Sequence, residues 1–446
     1  MLDTTTIGER DLRDETTALL RDLLRVDTTN PPGRETAAAT LLKEYLESSG
    51  VECELVARDP DRANLVARIR GTGDGPSLAL LGHTDVVPAD PAGWQHPPFA
   101  GDLDDEGYVW GRGAVDMKNE TASRAVALAV VARSGFQPRG DLMMIAEADE
   151  ENGIEEVGLS WLVRERPDVR ADFVLNEGAS ERLTLADGRT VVTVNVGEKA
   201  TLPVLVTALG RAAHASTPLA GANAVPRLAT LIDRLAWYRP KRRVLPETRV
   251  LLEALVGEIG DDLDDAIDRA QGLHPAFAEL VAPLFATTIA PTRLRGSDAR
   301  NVMPARASVE CDCRVLPGTT EAELEAELAA ALSTDVPYEI EFLEPPNGGS
   351  ISSIDTPLFD LCRRWVDAND PGAILLPTLC TGFTDSHFMR AAFGTVAYGF
   401  WPMRRTPYEV AAAGIHSVDE RVHVDDLGYA TRFHVEALQE IGGFGG

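Results

Sequence analysis

Residues 77–88 read SLALLGHTDVVP. The run from Ser77 to Leu81 reads as a short apolar strand, and it runs straight into Gly82-His83, with Asp85 two residues further on. A strand that ends in a histidine and an aspartate puts polar chemistry at its carboxyl end, the edge where open α/β sheets bind ligands. The same arrangement recurs downstream. The apolar run 142–146 leads into Glu150 and Glu151, and the run 172–175 leads into Glu177.

Outward from these strands the chain alternates. Residues 36–49 have helical character and stop at Gly50, 51–57 and 65–69 read as strands, and a long Ala/Val-rich helix follows Gly113 and ends near Ser134-Gly135. This alternation predicts an α/β fold with a largely parallel sheet. Near Val191 the pattern changes. Strand-like runs at 191–196, 202–208, 307–315 and 338–343 accompany helices at 224–237 and 320–332, the latter opening with the capping-box pair Thr320 and Glu323. Residues 196–347 therefore read as an inserted domain, with 1–195 and 348–446 as the two parts of the first. Residues 244–291 read as an acidic helical stretch with no assigned place.

A chain of 446 residues is too long for one ordinary core, in keeping with two domains. The formal net charge of -28 makes nucleic acid and anionic membrane surfaces poor partners. Five cysteines, an odd number without zinc-type spacing, read as core residues of a reducing compartment; Cys311 and Cys313 alternate along one strand. The first residues carry no apolar leader, and no run approaches the roughly 20 apolar residues of a membrane helix, so a cytoplasmic location is expected.

The candidate site residues are polar groups next to apolar strands. His83 and Asp85 suit a metal ligand and its orienting carboxylate, or a strand-end turn with incidental polar residues. Asp116, in WGRGAVDMKNE, suits a carboxylate bridging two cations, or a helix N-cap. Glu150 and Glu151 are adjacent carboxylates that repel unless positive charge lies beside them, which suits one metal ligand and one general base, or else an acidic surface loop. Glu177 follows another strand; in the tail His416, His423 and His387 compete for a ligand role. Imidazole and carboxylate without thiolate suit two zinc ions, with cobalt or manganese as alternatives. No GxSxG elbow, P-loop or strand-following GxGxxG is present, so serine-hydrolase and nucleotide readings lose support.

The order GHTDVVP, GRGAVDMKN, ADEENG, LNEG and GIHSVDERV resembles the zinc peptidase and amidohydrolase family of acetylornithine deacetylase, succinyl-diaminopimelate desuccinylase, aminoacylases and carboxypeptidase G. The insert is similar too, through GRAAHASTPLAGANAV, NVMPA and CDCRVLPG. The likeness covers nearly the whole chain and is weakest over 244–291.

The resemblance implies a zinc-peptidase-like catalytic domain, with a mixed, largely parallel sheet and helices on both faces, plus an inserted α+β lid or dimerisation domain. It implies that Asp116 bridges two Zn2+ ions, that Glu151 and His416 complete one metal position, and that His83 and Glu177 complete the other. Asp85 would orient His83, and Glu150 would be the general base toward a two-zinc-activated water. The bond after Asp116 would be cis. His214 would stabilise the oxyanion from a lid, in a homodimer; Asn301 and Arg314 would hold the substrate carboxylate, with Thr384 lining the pocket. Arg314 pairing with an acid of its own domain is the structural alternative. The expected reaction is hydrolysis of the amide bond of an N-acyl amino acid or small peptide. Glu177, where aspartate is common in dipeptidases, favours the deacylase and carboxypeptidase branch; a dipeptidase and a non-catalytic metal-binding scaffold are the competing readings.

Overall fold

The computed structural model describes residues 8–153, 155–178 and 180–443. The opening heptad, where the leader reading begins, lies outside the described residues. The chain divides into two compact units, Met1–Val196 with Ser352–Thr378 and Thr384–Gly446, and Gly197–Ile351 with Leu379–Phe383. The return of 379–383 to the second unit had no mark in the sequence; there Lys199 N donates to Cys380 O at 3.0 Å.

The first unit is built on a nine-stranded mixed sheet, in the order Glu52–Val56, Asn64–Ile69, Leu142–Glu147, Leu78–His83, Phe173–Asn176, Val396–Gly399, Thr190–Glu198 and Ala373–Cys380, with Arg182–Thr184 beside Thr190–Glu198. The four central strands, from Leu142–Glu147 to Val396–Gly399, pair in parallel. Antiparallel pairing is confined to the flanks, where Asn64–Ile69 meets Leu142–Glu147 and Thr190–Glu198 meets Val396–Gly399. Because the parallel strands are central, their carboxyl ends gather at one edge.

Helices cover both faces. The helix Lys118–Arg133, buried all round from 118 to 131, packs on the central strands and is covered by Glu9–Leu24 and Val424–Gly443. On the opposite face Leu159, Leu162, Val163 and Met389 pack against Ala79, Leu81, Met143, Ile145 and Val174. The period-two pleat explains the division: odd residues of Leu78–His83 face one way, and Gly82 faces the long helix. A Cβ at Gly82 would stand 2.5 Å from Thr121 Oγ1. Glycine there lets the helix approach, and Thr121 Oγ1 donates to His83 O at 3.1 Å.

The second unit is an antiparallel sheet in the order Tyr338–Phe342, Val204–Leu209, Arg306–Val315, Ala200–Thr201 and Asn347–Gly348, with Thr288–Arg295 along Arg306–Val315. Helices Ala224–Trp237 and Glu321–Leu332 supply its core together with Cys311 and Cys313. Thr320 and Glu323 form the expected capping box. The stretch 244–291 resolves into helices Pro246–Val256, Leu263–Gln271 and Pro275–Leu280, and its last residues are not helical. They begin the strand Thr288–Arg295, which Pro291 had disguised; the register shifts between Pro291 and Arg293, a bulge where proline costs no ladder bond.

Among the described residues no helix is long and apolar enough to cross a membrane. Gly82→Ala should lower unfolding stability by about 1–3 kcal/mol through overpacking against Thr121, read from urea denaturation. An unchanged midpoint would show that the helix does not depend on the missing side chain.

Candidate metal centre

Three parallel strands deliver their ends to the same edge. The register sets His83 beside Glu147. The turn after Leu142–Glu147 carries Glu150 and Glu151, and Glu177 follows Asn176 directly. Asp116 comes from the turn before the long helix, and the Asp116–Met117 peptide is cis.

A residue passed over in the sequence holds that turn. The buried carboxylate of Glu420 accepts from the backbone N–H of Gly113, Val115 and Asp116 at 2.9, 2.7 and 2.9 Å, and from Arg112 Nη1 at 2.7 Å. Glu420 lies four residues after His416, so these bonds also bring the tail histidine to the aspartate. Its only sequence signal was membership of the acidic pair that follows His416.

Asp116 faces two imidazoles with its two oxygens. Oδ1 is 3.1 Å from His83 Nε2, and Oδ2 is 3.3 Å from His416 Nε2. Glu177 Oε2 lies 3.5 Å from His83 Nε2, and Glu151 Oε2 lies 2.9 Å from His416 Nε2. Glu150 stands further back, 4.0 Å from the His83 ring nitrogen. Ligand atoms of His83, Asp116 and Glu151, and of His83, Glu150 and Glu177, form two groups within 4.8 Å.

Asp85 acts on His83 through its main chain. Its carbonyl oxygen lies 3.0 Å from His83 Nδ1, whereas its carboxylate is 3.6 Å away. A carbonyl only accepts, so Nδ1 carries the proton and Nε2 points toward Asp116. The Asp85 carboxylate instead accepts from the backbone N–H of Glu150 and Glu151 at 3.2 and 3.1 Å.

Carboxylates outnumber the positive charges here. Asp116 and Glu151 push His416 up to about 10. Burial opposes a charge on His83, but Asp116 and Glu177 outweigh it and hold its pKa well above the ordinary value. Burial, then the charge of Glu177, pushes Glu150 well up, and burial also raises Glu151. Two imidazoles thus face four carboxyl groups, an arrangement short of positive partners. Glu151 Oε1 and Glu177 Oε1 are buried without a hydrogen-bond partner. Unpaired carboxylate oxygens beside imidazole nitrogens, with no thiolate, fit divalent cations of the zinc, cobalt or manganese kind.

The other tail histidines stand elsewhere. His423 packs edge-on against Tyr108 and accepts from Asp425 N at 3.1 Å. His387 lies on the helix Ser386–Phe393 against the ring of Phe388. In the second unit, His214 pairs with Val302 in a two-stranded ladder, and Asn301 O accepts from Ala215 N, so His214 and Asn301 share one exposed surface. His214 Nδ1 accepts from Ser216 N at 3.1 Å. The Arg314 fork is taken by Asp312 at 2.7 and 3.1 Å, the structural alternative for that residue. Thr384 is buried at the start of the helix Ser386–Phe393.

Arg124 was also missed. Fully buried, it donates to Leu81 O at 2.6 Å, to Asn176 O at 2.8 Å and to Glu120 Oε2 at 2.6 Å. It thus ties together the ends of the strands that present His83 and Glu177. The available signal was an arginine inside an otherwise Ala/Val-rich helix, since a buried guanidinium needs partners.

Known proteins share this arrangement of sequence and fold. The chain is 29% identical to aminoacylase-1 of Mus musculus over 420 residues, covering 91% of this chain and 90% of the relative. It is 28% identical to succinyl-diaminopimelate desuccinylase of Cereibacter sphaeroides over 430 residues, covering 95% and 98%. The solved structure of an M20 family metallo-carboxypeptidase from Sulfolobus solfataricus has the same fold, with a TM-score of 0.71 at 20% identity over 97% of this chain and 100% of that one. The model of peptidase family M20/M25/M40 matches residues 79–440, a span that holds every ligand candidate from His83 to His416, and the chain is therefore a hydrolase belonging to that family.

Proposed function

We propose that the chain is a two-zinc amidohydrolase of the deacylase or carboxypeptidase type, acting on an N-acyl amino acid or small peptide in the cytoplasm. The observation that carries this reading is Asp116, whose two oxygens face His83 and His416 separately. In this reading His83 and Glu177 hold one cation, His416 and Glu151 the other, and Asp116 both. Bound there, the cations supply Lewis acidity, polarising the amide carbonyl and lowering the pKa of water toward about 7.

The remaining steps belong to side chains. Glu150, set further from the His83 ring than Asp116 and Glu177, takes a proton from water and returns it to the leaving amine. Arg124 and Glu420 keep the ligand-bearing backbone in place while charge develops. His214 stabilises the oxyanion, and the second unit serves as lid and dimerisation domain. Asn301, Arg314 and Thr384 hold the substrate; for Arg314 this requires exchanging Asp312 for the substrate carboxylate, a trade of one bidentate partner for another. The relatives' names, aminoacylase and desuccinylase, favour the deacylase side.

The test is amine release from a panel of N-acyl amino acids and dipeptides on zinc-loaded protein, with and without a strong chelator. Chelator-sensitive release from acylated amino acids is expected. Release from dipeptides alone would make the enzyme a dipeptidase, and none at all with full metal loading would favour a scaffold. Glu150→Gln should cut kcat roughly 100- to 10,000-fold while metal content stays at the wild-type level. Substantial turnover in that variant would remove Glu150 from its role as base. Mixing inactive His214→Ala and Glu150→Ala chains should restore activity if the histidine serves a partner's site; inactivity in verified mixed dimers would place it in cis.

A further inference from the structure

Behind the Glu150–Glu151 turn lies a buried polar cluster that no ligand assignment uses. Asn30, Glu35, Arg62 and Asp149 are each at most 4% exposed. Asn30 Nδ2 donates to Asp85 Oδ2 at 2.9 Å and to Asp149 Oδ1 at 3.1 Å. Arg62 Nη2 donates to the same Asp149 oxygen at 3.2 Å and to Glu35 Oε1 at 2.5 Å, while Arg62 Nε donates to Glu35 Oε2 at 3.0 Å. Asp149 Oδ2 accepts from Glu155 N at 3.1 Å, so the turn is gripped on both sides of the glutamate pair.

The donor pattern shows which way this cluster works. Both neighbours of the Asn30 amide are carboxylates, so its NH2 group must face them and the flipped orientation is excluded. Its Oδ1 is buried with no partner. A residue kept only to fill space would not leave an acceptor unpaired in the interior, which costs about 1–3 kcal/mol. The position is used for two donors.

Those donors reach the metal centre through Asp149, next to Glu150 in the chain, and through Asp85. The Asp85 carboxylate accepts from Asn30 and from the backbone N–H of both Glu150 and Glu151. Its carbonyl oxygen meets His83 Nδ1. The segment that carries Asn30 is itself stitched to the Asp85 loop. Asn30 N donates to Val86 O at 2.9 Å, Val86 N to Thr28 O at 3.2 Å, and Thr28 Oγ1 to Thr84 O at 2.6 Å. Gly33 completes the design at a φ of +75°, where a Cβ would stand 2.2 Å from Arg62 Nε. Only glycine lets the guanidinium lie in that place.

We propose that Asn30 and Arg62 are positioning residues for the metal centre, holding Asp85 and Asp149 so that Glu150 and Glu151 keep their aim at the two histidines. The residues act through others and touch neither substrate nor cation. The inference rests on the two-metal reading for the purpose of the turn, and its test separates the two.

Zinc affinity, measured by competition with a chromophoric chelator, is compared for the wild type, Asn30→Ala and Arg62→Lys, together with kcat, KM and near-UV circular dichroism. Asn30→Ala should weaken zinc binding or lower kcat at saturating zinc by roughly 10- to 100-fold, with KM within about twofold. Arg62→Lys keeps the charge but cannot hold Glu35 and Asp149 with one fork, so the same losses should appear in smaller measure. If Asn30→Ala fails to fold, Arg62→Lys decides. Folded variants whose affinity and kcat both match the wild type would overturn the proposal. A wild type that binds zinc but releases no amine would defeat the amidohydrolase reading and leave the affinity comparison standing.

Discussion

Repulsion between carboxylates is the constraint on which the rest of this molecule depends. Asp116, Glu150, Glu151 and Glu177 converge at the carboxyl edge of a parallel sheet, most of their surface out of water. Such a group is costly to assemble without positive charge between its members. Two imidazoles answer part of that charge, and the unpaired oxygens of Glu151 and Glu177 mark where more is required.

The scaffold resists this repulsion by fixing main chain rather than side chains. Arg124 binds the carbonyls of Leu81 and Asn176, at the ends of two directly paired parallel strands. Glu420 gathers three backbone donors, those of Gly113, Val115 and Asp116. Asp85 accepts from the backbone of both glutamates in the neighbouring turn. Each ligand-bearing segment is thus anchored by a buried charged group that does not itself face the cluster. Preorganisation of this kind is what a metal hydrolase needs, because ligands placed in advance do not have to be ordered when charge develops.

How much of this was legible in the sequence depended on the range of the interaction. The strands before His83, Glu150 and Glu177 announced themselves through short apolar runs, and the helix after Asp116 through its composition. The capping box at Thr320 was readable because it spans three residues. The strand Thr288–Arg295 was not, since Pro291 argues against a ladder unless a bulge is known to be there. Competition among His387, His416 and His423 had no local answer, because the contact that decides it joins Glu420 to residues some three hundred positions earlier. Asn30, Arg62 and Arg124 escaped for the same reason: a buried polar residue reveals its purpose only through partners that folding brings to it.

The most direct test of the central claim is a crystal of the zinc-loaded protein, with anomalous differences measured on both sides of the zinc absorption edge. The account predicts two zinc peaks in each chain, one between Asp116, His83 and Glu177 and the other between Asp116, His416 and Glu151. A single peak away from Asp116, or none in crystals soaked in zinc, would contradict it.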